Sequence, residues 1–110
     1  MAKSYRTGAR HRSRPRFGVW LRELRQGKDL ALREVAAAVG MDQAHLSKAE
    51  LGQRLPTEEQ VKLLASFFKV NTEEMEARRL AEKLIRELEE SPAGPAALNI
   101  LREEPPTFES

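Results

Sequence analysis

The groups in this chain able to do chemistry are two histidines, a serine in a short helical segment, a run of glutamates and a start rich in arginine. His11 lies in the basic N-terminal stretch and His45 in a short helix, with no HExxH spacing, no second His four residues away and no carboxylate placed to orient either ring. A metal needs convergent donors of that kind, so no metal site is expected. Ser47 lacks the GxSxG turn that raises a nucleophile, and no Gly-rich loop ending in Lys-Ser or Lys-Thr is present to cradle a phosphate. The seven glutamates from Glu73 to Glu90 repeat as the solvated, ion-paired face of a helix does. The absence of cysteine excludes disulfides, thiolate ligation and a thiol nucleophile, and is compatible with a reducing cytosol. The chain therefore reads as a non-enzyme without a cofactor, and the chemistry left to it is recognition by charge and hydrogen bonding.

Charge is distributed unevenly along the 110 residues. Residues 1–16 carry six basic groups (Lys3, Arg6, Arg10, Arg12, Arg14 and Arg16) and no acid, residues 17–70 carry eight against seven, and residues 71–110 carry five against ten acids, so the net +2 conceals a gradient. Such asymmetry points to a nucleic-acid or membrane contact at the basic end. No apolar run approaches the ~20 residues of a membrane span. No apolar segment follows the basic start either, so a secretory signal is not expected, and Gly8 and Pro15 interrupt the amphipathic helix of an organellar presequence. The length fits one small domain.

The elements follow from periodicity and punctuation. Residues 1–16 have no hydrophobic period and only Tyr5 to bury, which predicts a flexible basic arm, and Pro15 sharpens its boundary. A helix from Phe17 to Gly27 places Phe17, Trp20, Leu21 and Leu24 on one face, with Arg22, Glu23 and Arg25 on the other. A second, Ala31 to Val39, carries Leu32, Val35, Ala36 and Val39 and stops at Gly40. Asp42 caps a third, Gln43 to Leu51, with Leu46 and Ala49 or Glu50 inward. Thr57 and Gln60 form a capping box opening a fourth, with Val61, Leu64, Ala65 and Phe68. A fifth spans about 72–90, with Leu80, Ala81, Leu84, Ile85 and Leu88. Ser91 to Pro95 reads as a linker, Ala96 to Arg102 as a short helix, and the last residues as a mobile tail. No segment alternates with period two, so the fold is all-α.

Two short helices joined by Val39-Gly40-Met41-Asp42, with small residues Ala36, Ala37 and Ala38 allowing close approach, meet the needs of a helix-turn-helix. With Leu30 to Ala36, the Ser47-Lys48-Ala49-Glu50-Leu51-Gly52 stretch, Pro56-Thr57, Leu63-Leu64-Ala65 and Val70, the chain resembles the phage-repressor (Cro/cI, XRE-type) helix-turn-helix family over Phe17 to Met75. The resemblance implies a five-helix domain whose Gln43 to Leu51 helix enters the major groove of double-stranded DNA. Gln43, Ala44, Ser47 and Lys48 would face DNA: Gln43 reading adenine, Ala44 touching a thymine methyl, Ser47 and Lys48 reaching phosphate or a base edge. His45 sits beside them, and Arg54 in the following loop would bind phosphate. Many members place Gln at the start of the second helix; here that position is Leu32, and Arg33 next to it is expected to supply the phosphate contact. Glu50 is expected to pair with Arg54 or a backbone amide, and Trp20, Phe67 and Phe68 to serve the core or a dimer interface. Arg10, Arg12, Arg14 and Arg16 in the arm would track phosphates or enter a minor groove.

This gives four zones: 1–16 basic flexible arm, 17–75 helix-turn-helix domain, 76–90 extended helix for dimerisation, and 91–110 linker and acidic tail. The leading expectation is a dimeric, sequence-specific transcriptional regulator, a repressor on a palindromic operator, working in the cytoplasm of a bacterium or on phage DNA, with no membrane contact. One alternative is the antitoxin of a toxin–antitoxin pair, whose tail binds a partner protein through Leu98, Ile100, Leu101 and Phe108 in a segment that folds on binding. Another is a protein-bridging factor, and the arm alone is compatible with RNA.

Overall fold

The computed structural model describes residues 14–109, and in them six helices and no strand: α1 Phe17–Gly27, α2 Leu32–Val39, α3 Gln43–Glu50, α4 Glu58–Phe68, α5 Thr72–Glu90 and α6 Gly94–Glu103. Four of the starts have a local cause. Asp42 Oδ1 accepts from Ala44 N at 3.1 Å, Asn71 Oδ1 accepts from Glu74 N at 2.9 Å, and Thr57 and Gln60 exchange bonds of 3.1 and 2.9 Å across the first turn of α4. At the start of α2 the Ala31 N–H donates to Glu34 at 2.7 Å. Gly40 ends α2 at φ +68°, the left-handed conformation that glycine adopts without strain. At the end of α4 it is Lys69 that adopts this conformation, at φ +59°.

The core assembles from one stripe of each of the first four helices: Phe17 and Leu21, then Val35, Ala36 and Val39, then Leu46 and Ala49, then Val61, Leu64, Ala65 and Phe68, closed by Met75 of α5. Burying a leucine such as Leu46 or Leu64 contributes roughly 1.5–3 kcal/mol. Of the three alanines expected to bring α2 and α3 together only Ala36 is buried, while Ala37 and Ala38 face outward. The close approach in the fold is instead at Gly18, where a Cβ would stand 2.5 Å from Glu50 O and 2.6 Å from Ala49 O, so α1 rests directly on the backbone of α3.

α5 turns its charged side to the domain. Glu82, expected on a solvated face, is buried: it receives Arg16 Nη2 at 2.6 Å and Nε at 2.8 Å, and accepts from Phe17 N at 3.3 Å. A carboxylate from a distant helix thus caps the N-terminus of α1, where unpaired N–H groups and the helix dipole favour an anion. Arg79 Nε donates to Pro56 O at 2.7 Å, Arg86 donates to Gly52 O, and the Arg78 guanidinium lies 4.3 Å from the centre of the Trp20 ring. The apolar stripe of α5 stays open: Ala77, Leu80, Ala81, Leu84 and Ile85 are exposed, with Ala77, Ala81 and Ile85 lining a hollow beside Pro15 and Phe17.

The expected linker 91–95 is a tight turn. Ser91 O accepts from Gly94 N at 2.9 Å, and Gly94 lies so close to Leu88 that a Cβ would meet its carbonyl oxygen at 1.8 Å. Pro95, at the start of α6, lacks only an N–H that the first turn leaves unpaired. α6 is a formed helix set against α5, and residues 104–109 follow without regular structure.

Candidate nucleic-acid interface

Eight residues of α3 divide into two faces. His45, Leu46, Ala49 and Glu50 are buried, while Gln43, Ala44 and Lys48 are exposed and Ser47 is half-exposed. Spacings of three and four residues place each set on its own side. Four of the five residues expected on the DNA side of this helix therefore share its outward face, held by a helix whose other face is locked into the core.

His45 is the exception, and its position corrects the expectation that it accompanies Gln43 and Ser47. Its ring is buried beneath the loop that leads to α4, with Nε2 at 3.4 Å from Leu55 O and Nδ1 at 3.4 Å from Gln60 Nε2. A carbonyl at Nε2 and an amide donor at Nδ1 suit the tautomer that carries its proton on Nε2. Gln60 meanwhile completes the capping box of α4, so His45 couples α3 to the start of the next helix.

Glu50 is buried, but its partner is neither Arg54 nor a backbone amide. Arg25 of α1 binds it with both ends of the fork, Nε to Oε2 at 2.7 Å and Nη2 to Oε1 at 2.9 Å, and sends Nη1 to Leu30 O at 2.8 Å. Hydrogen bonding to Glu50 raises the Arg25 pKa above its ordinary value. Arg25 was expected on the solvent side of α1. What could have revealed the pair is a carboxylate on the inward face of α3, which demands a cation; its location required the fold. With Gly18, about two turns earlier in α1, resting on the backbone of α3, this pair sets the position of α3 against α1.

The other expected cations are distributed as follows. Arg33 is exposed at the second position of α2 and Arg54 is exposed in the loop after α3. A shallow hollow lined by Arg22, Leu32, Ser47 and Leu51 brings the start of α2 beside the outward face of α3, and Arg22 at its rim, exposed as its spacing predicts, was not among the expected DNA contacts. Arg14 is exposed, and Arg10 and Arg12 lie outside the described residues. Arg16 belongs to the folded domain instead of a free arm: its guanidinium holds Glu82 and reaches Glu89 at 3.3 Å. Glu82 raises the Arg16 pKa, and Arg16 in turn holds the Glu82 carboxyl below the usual carboxylate range. Among the described residues no group of three or more His, Cys, Asp or Glu could hold a metal, and no helix is long and apolar enough to cross a membrane.

A family model described as helix-turn-helix matches residues 21–75, from Leu21 in α1 to Met75 in α5. No curated protein and no solved structure gives a significant match to the chain.

Proposed function

The chain belongs to the helix-turn-helix family, of the Cro/cI or XRE type, and from that premise we propose that this DNA-binding regulator is a sequence-specific repressor. It acts as a dimer on a palindromic operator in the cytoplasm. The observation that carries the reading is the outward face of α3, where Gln43, Ala44, Ser47 and Lys48 stand free on a rigidly seated helix. Gln43, at the helix N-terminus, presents an amide able to make a bidentate pair with adenine N6 and N7, and Ala44 presents a methyl to thymine. Arg33, Arg54 and Arg22 supply charge around that face for the phosphates, joined by Arg14, Arg12 and Arg10 from the arm. Arg16 is assigned no phosphate, since its charge is already neutralised by Glu82.

Selection of bound sequences from a random pool of DNA duplexes tests the reading. The expected product is a two-fold symmetric motif whose half-sites lie about one helical turn apart. Failure to enrich any sequence overturns it.

A further inference from the structure

If the basic arm and the outward face of α3 meet one duplex, something must hold the root of the first against the second. Arg16, Glu82 and Arg86, all outside the helix-turn-helix stretch of residues 21–75, make that connection. Met75 and Glu82 are the buried residues of α5, and Glu82 uses both of its oxygens. Oε1 accepts from Arg16 Nε at 2.8 Å and from Phe17 N at 3.3 Å, while Oε2 accepts from Arg16 Nη2 at 2.6 Å and lies 3.6 Å from Arg86 Nε. Arg86 in turn donates to Gly52 O, two residues past the end of α3. A carboxylate whose side chain is 6% exposed thus joins the chain entering α1 to the chain leaving α3. An ion pair in open water fixes little geometry, but a two-pronged contact between guanidinium and carboxylate sets the plane of the guanidinium. Here the remaining nitrogen, Nη1, is held as well, by Glu89 at 3.3 Å.

The direction set at Arg16 is carried outward. Pro15 has a locked φ and confines Arg14 to extended conformations. Both residues line the hollow whose other wall is Ala77, Ala81 and Ile85, so the side of α5 that the core leaves open seats the root of the arm. On the opposite side, the exposed Leu51 lines both the hollow that holds Arg16 and Glu82 and the hollow that holds Arg22 and Ser47. The root of the arm therefore stands one residue away from the outward face of α3. At no more than ~3.6 Å per residue, Arg10 lies within about 14 Å of Arg14, and on so short a leash the direction of departure decides which phosphates the arm can reach.

We propose that Glu82 is a positioning residue: through Arg16 and Arg86 it fixes the direction in which the basic arm leaves the domain relative to the end of α3, so that arm and helix engage one duplex together. This rests on the DNA reading proposed above and assigns a role in it to a residue that touches no DNA.

Two variants of the full chain test it. Glu82→Gln keeps an oxygen for the Phe17 N–H but turns an amide NH2 toward Arg16 and Arg86, and Arg16→Lys keeps the charge but not the fork. Both, shown to be folded by circular dichroism, are titrated with a fluorescein-labelled duplex carrying the motif enriched in the selection above. Each should bind about tenfold more weakly than the wild type, the cost of ordering roughly one more backbone residue on the DNA. In a chain with Arg10, Arg12 and Arg14 all changed to Gln, the same two substitutions should alter affinity by less than about twofold, whereas a general loss of stability would weaken both backgrounds alike. The chain has no cysteine, so nitroxides at Arg14→Cys and Gln53→Cys read the same geometry without DNA. Double electron–electron resonance should give one narrow distance, broadened when Glu82→Gln is added. Equal losses in both backgrounds, Arg16→Lys binding as tightly as the wild type, or a label distance indifferent to Glu82→Gln or already broad without it overturns the proposal. A chain that binds no duplex while its label distance answers to Glu82→Gln overturns the DNA reading and leaves the positioning standing; a chain that selects its motif while the labels do not answer overturns this inference alone.

Discussion

Replacing Arg25 by Met would remove the guanidinium that seats α3 while keeping the apolar stem. Its side chain is 13% exposed and that of Glu50 5%, so the variant leaves a carboxylate inside the domain, stripped of two charge-assisted bonds of 2.7 and 2.9 Å. Breaking a buried pair on one side costs about 3–5 kcal/mol. A domain of this size holds roughly 5–15 kcal/mol in total, and each kcal/mol moves the melting temperature about 4–8 °C. The midpoint should therefore fall by roughly 12–40 °C. Urea unfolding followed by circular dichroism measures the loss directly. Two further measurements separate the buried charge from mere loss of packing. Replacing Glu50 by Leu in the same chain should recover at least ~2 kcal/mol, because an apolar pair of similar volume is tolerated where a lone charge is not. The single variant should also become relatively more stable in acid, because protonation removes the buried, unpaired charge. A loss below ~1 kcal/mol, or a double variant as weak as the single one, refutes the reasoning.

Glu82 should show the opposite sign. Because Arg16 holds its carboxyl below the usual range, its contribution is fully present above that range and is lost as pH falls through the depressed folded value; urea midpoints of Glu82→Gln should vary less across the acid limb than those of the wild type. Gly18→Ala should cost ~1–3 kcal/mol, read from the same unfolding curves, since the new Cβ meets backbone oxygens of Ala49 and Glu50 that no side-chain rotation can move. For DNA, Gln43→Ala should relax preference at one base position by ~1–3 kcal/mol in binding titrations without altering the salt dependence. Arg33→Ala should lower affinity for all sequences and reduce the salt slope by about one; an unchanged slope removes Arg33 from the phosphate contacts.

Much of the fold was legible because its causes are local. Helices α3, α4 and α5 start at the expected caps Asp42, Thr57 and Asn71, and α1 and α2 end at Gly27 and Gly40, since a capping side chain or a helix-ending glycine acts within one turn of where it stands. The same holds for the outward face of α3, where spacing alone groups Gln43, Ala44, Ser47 and Lys48. The turn at residues 91–95 was misread as a linker because its Ser, Pro and Gly composition is the same whether the chain swings free or is pinned, and only the meeting of Gly94 with Leu88 distinguishes them.

What periodicity could not supply was the fate of the polar groups. His45 and Glu50 sit on a short helix whose apolar residues are too few to mark the width of its buried face, and Glu82 lies in a helix where charge is so dense that any glutamate looks solvated. Their partners, Arg25, Gln60 and Arg16, are 25, 15 and 66 residues distant. From sequence alone this chain declares its helices, its basic start and the outward face of α3, because those are properties of neighbours a turn apart. Which charges are buried to hold that face in place, and which apolar stripe is left outside, was decided by tertiary packing, because pairing and exposure depend on groups brought together only when the chain closes on itself.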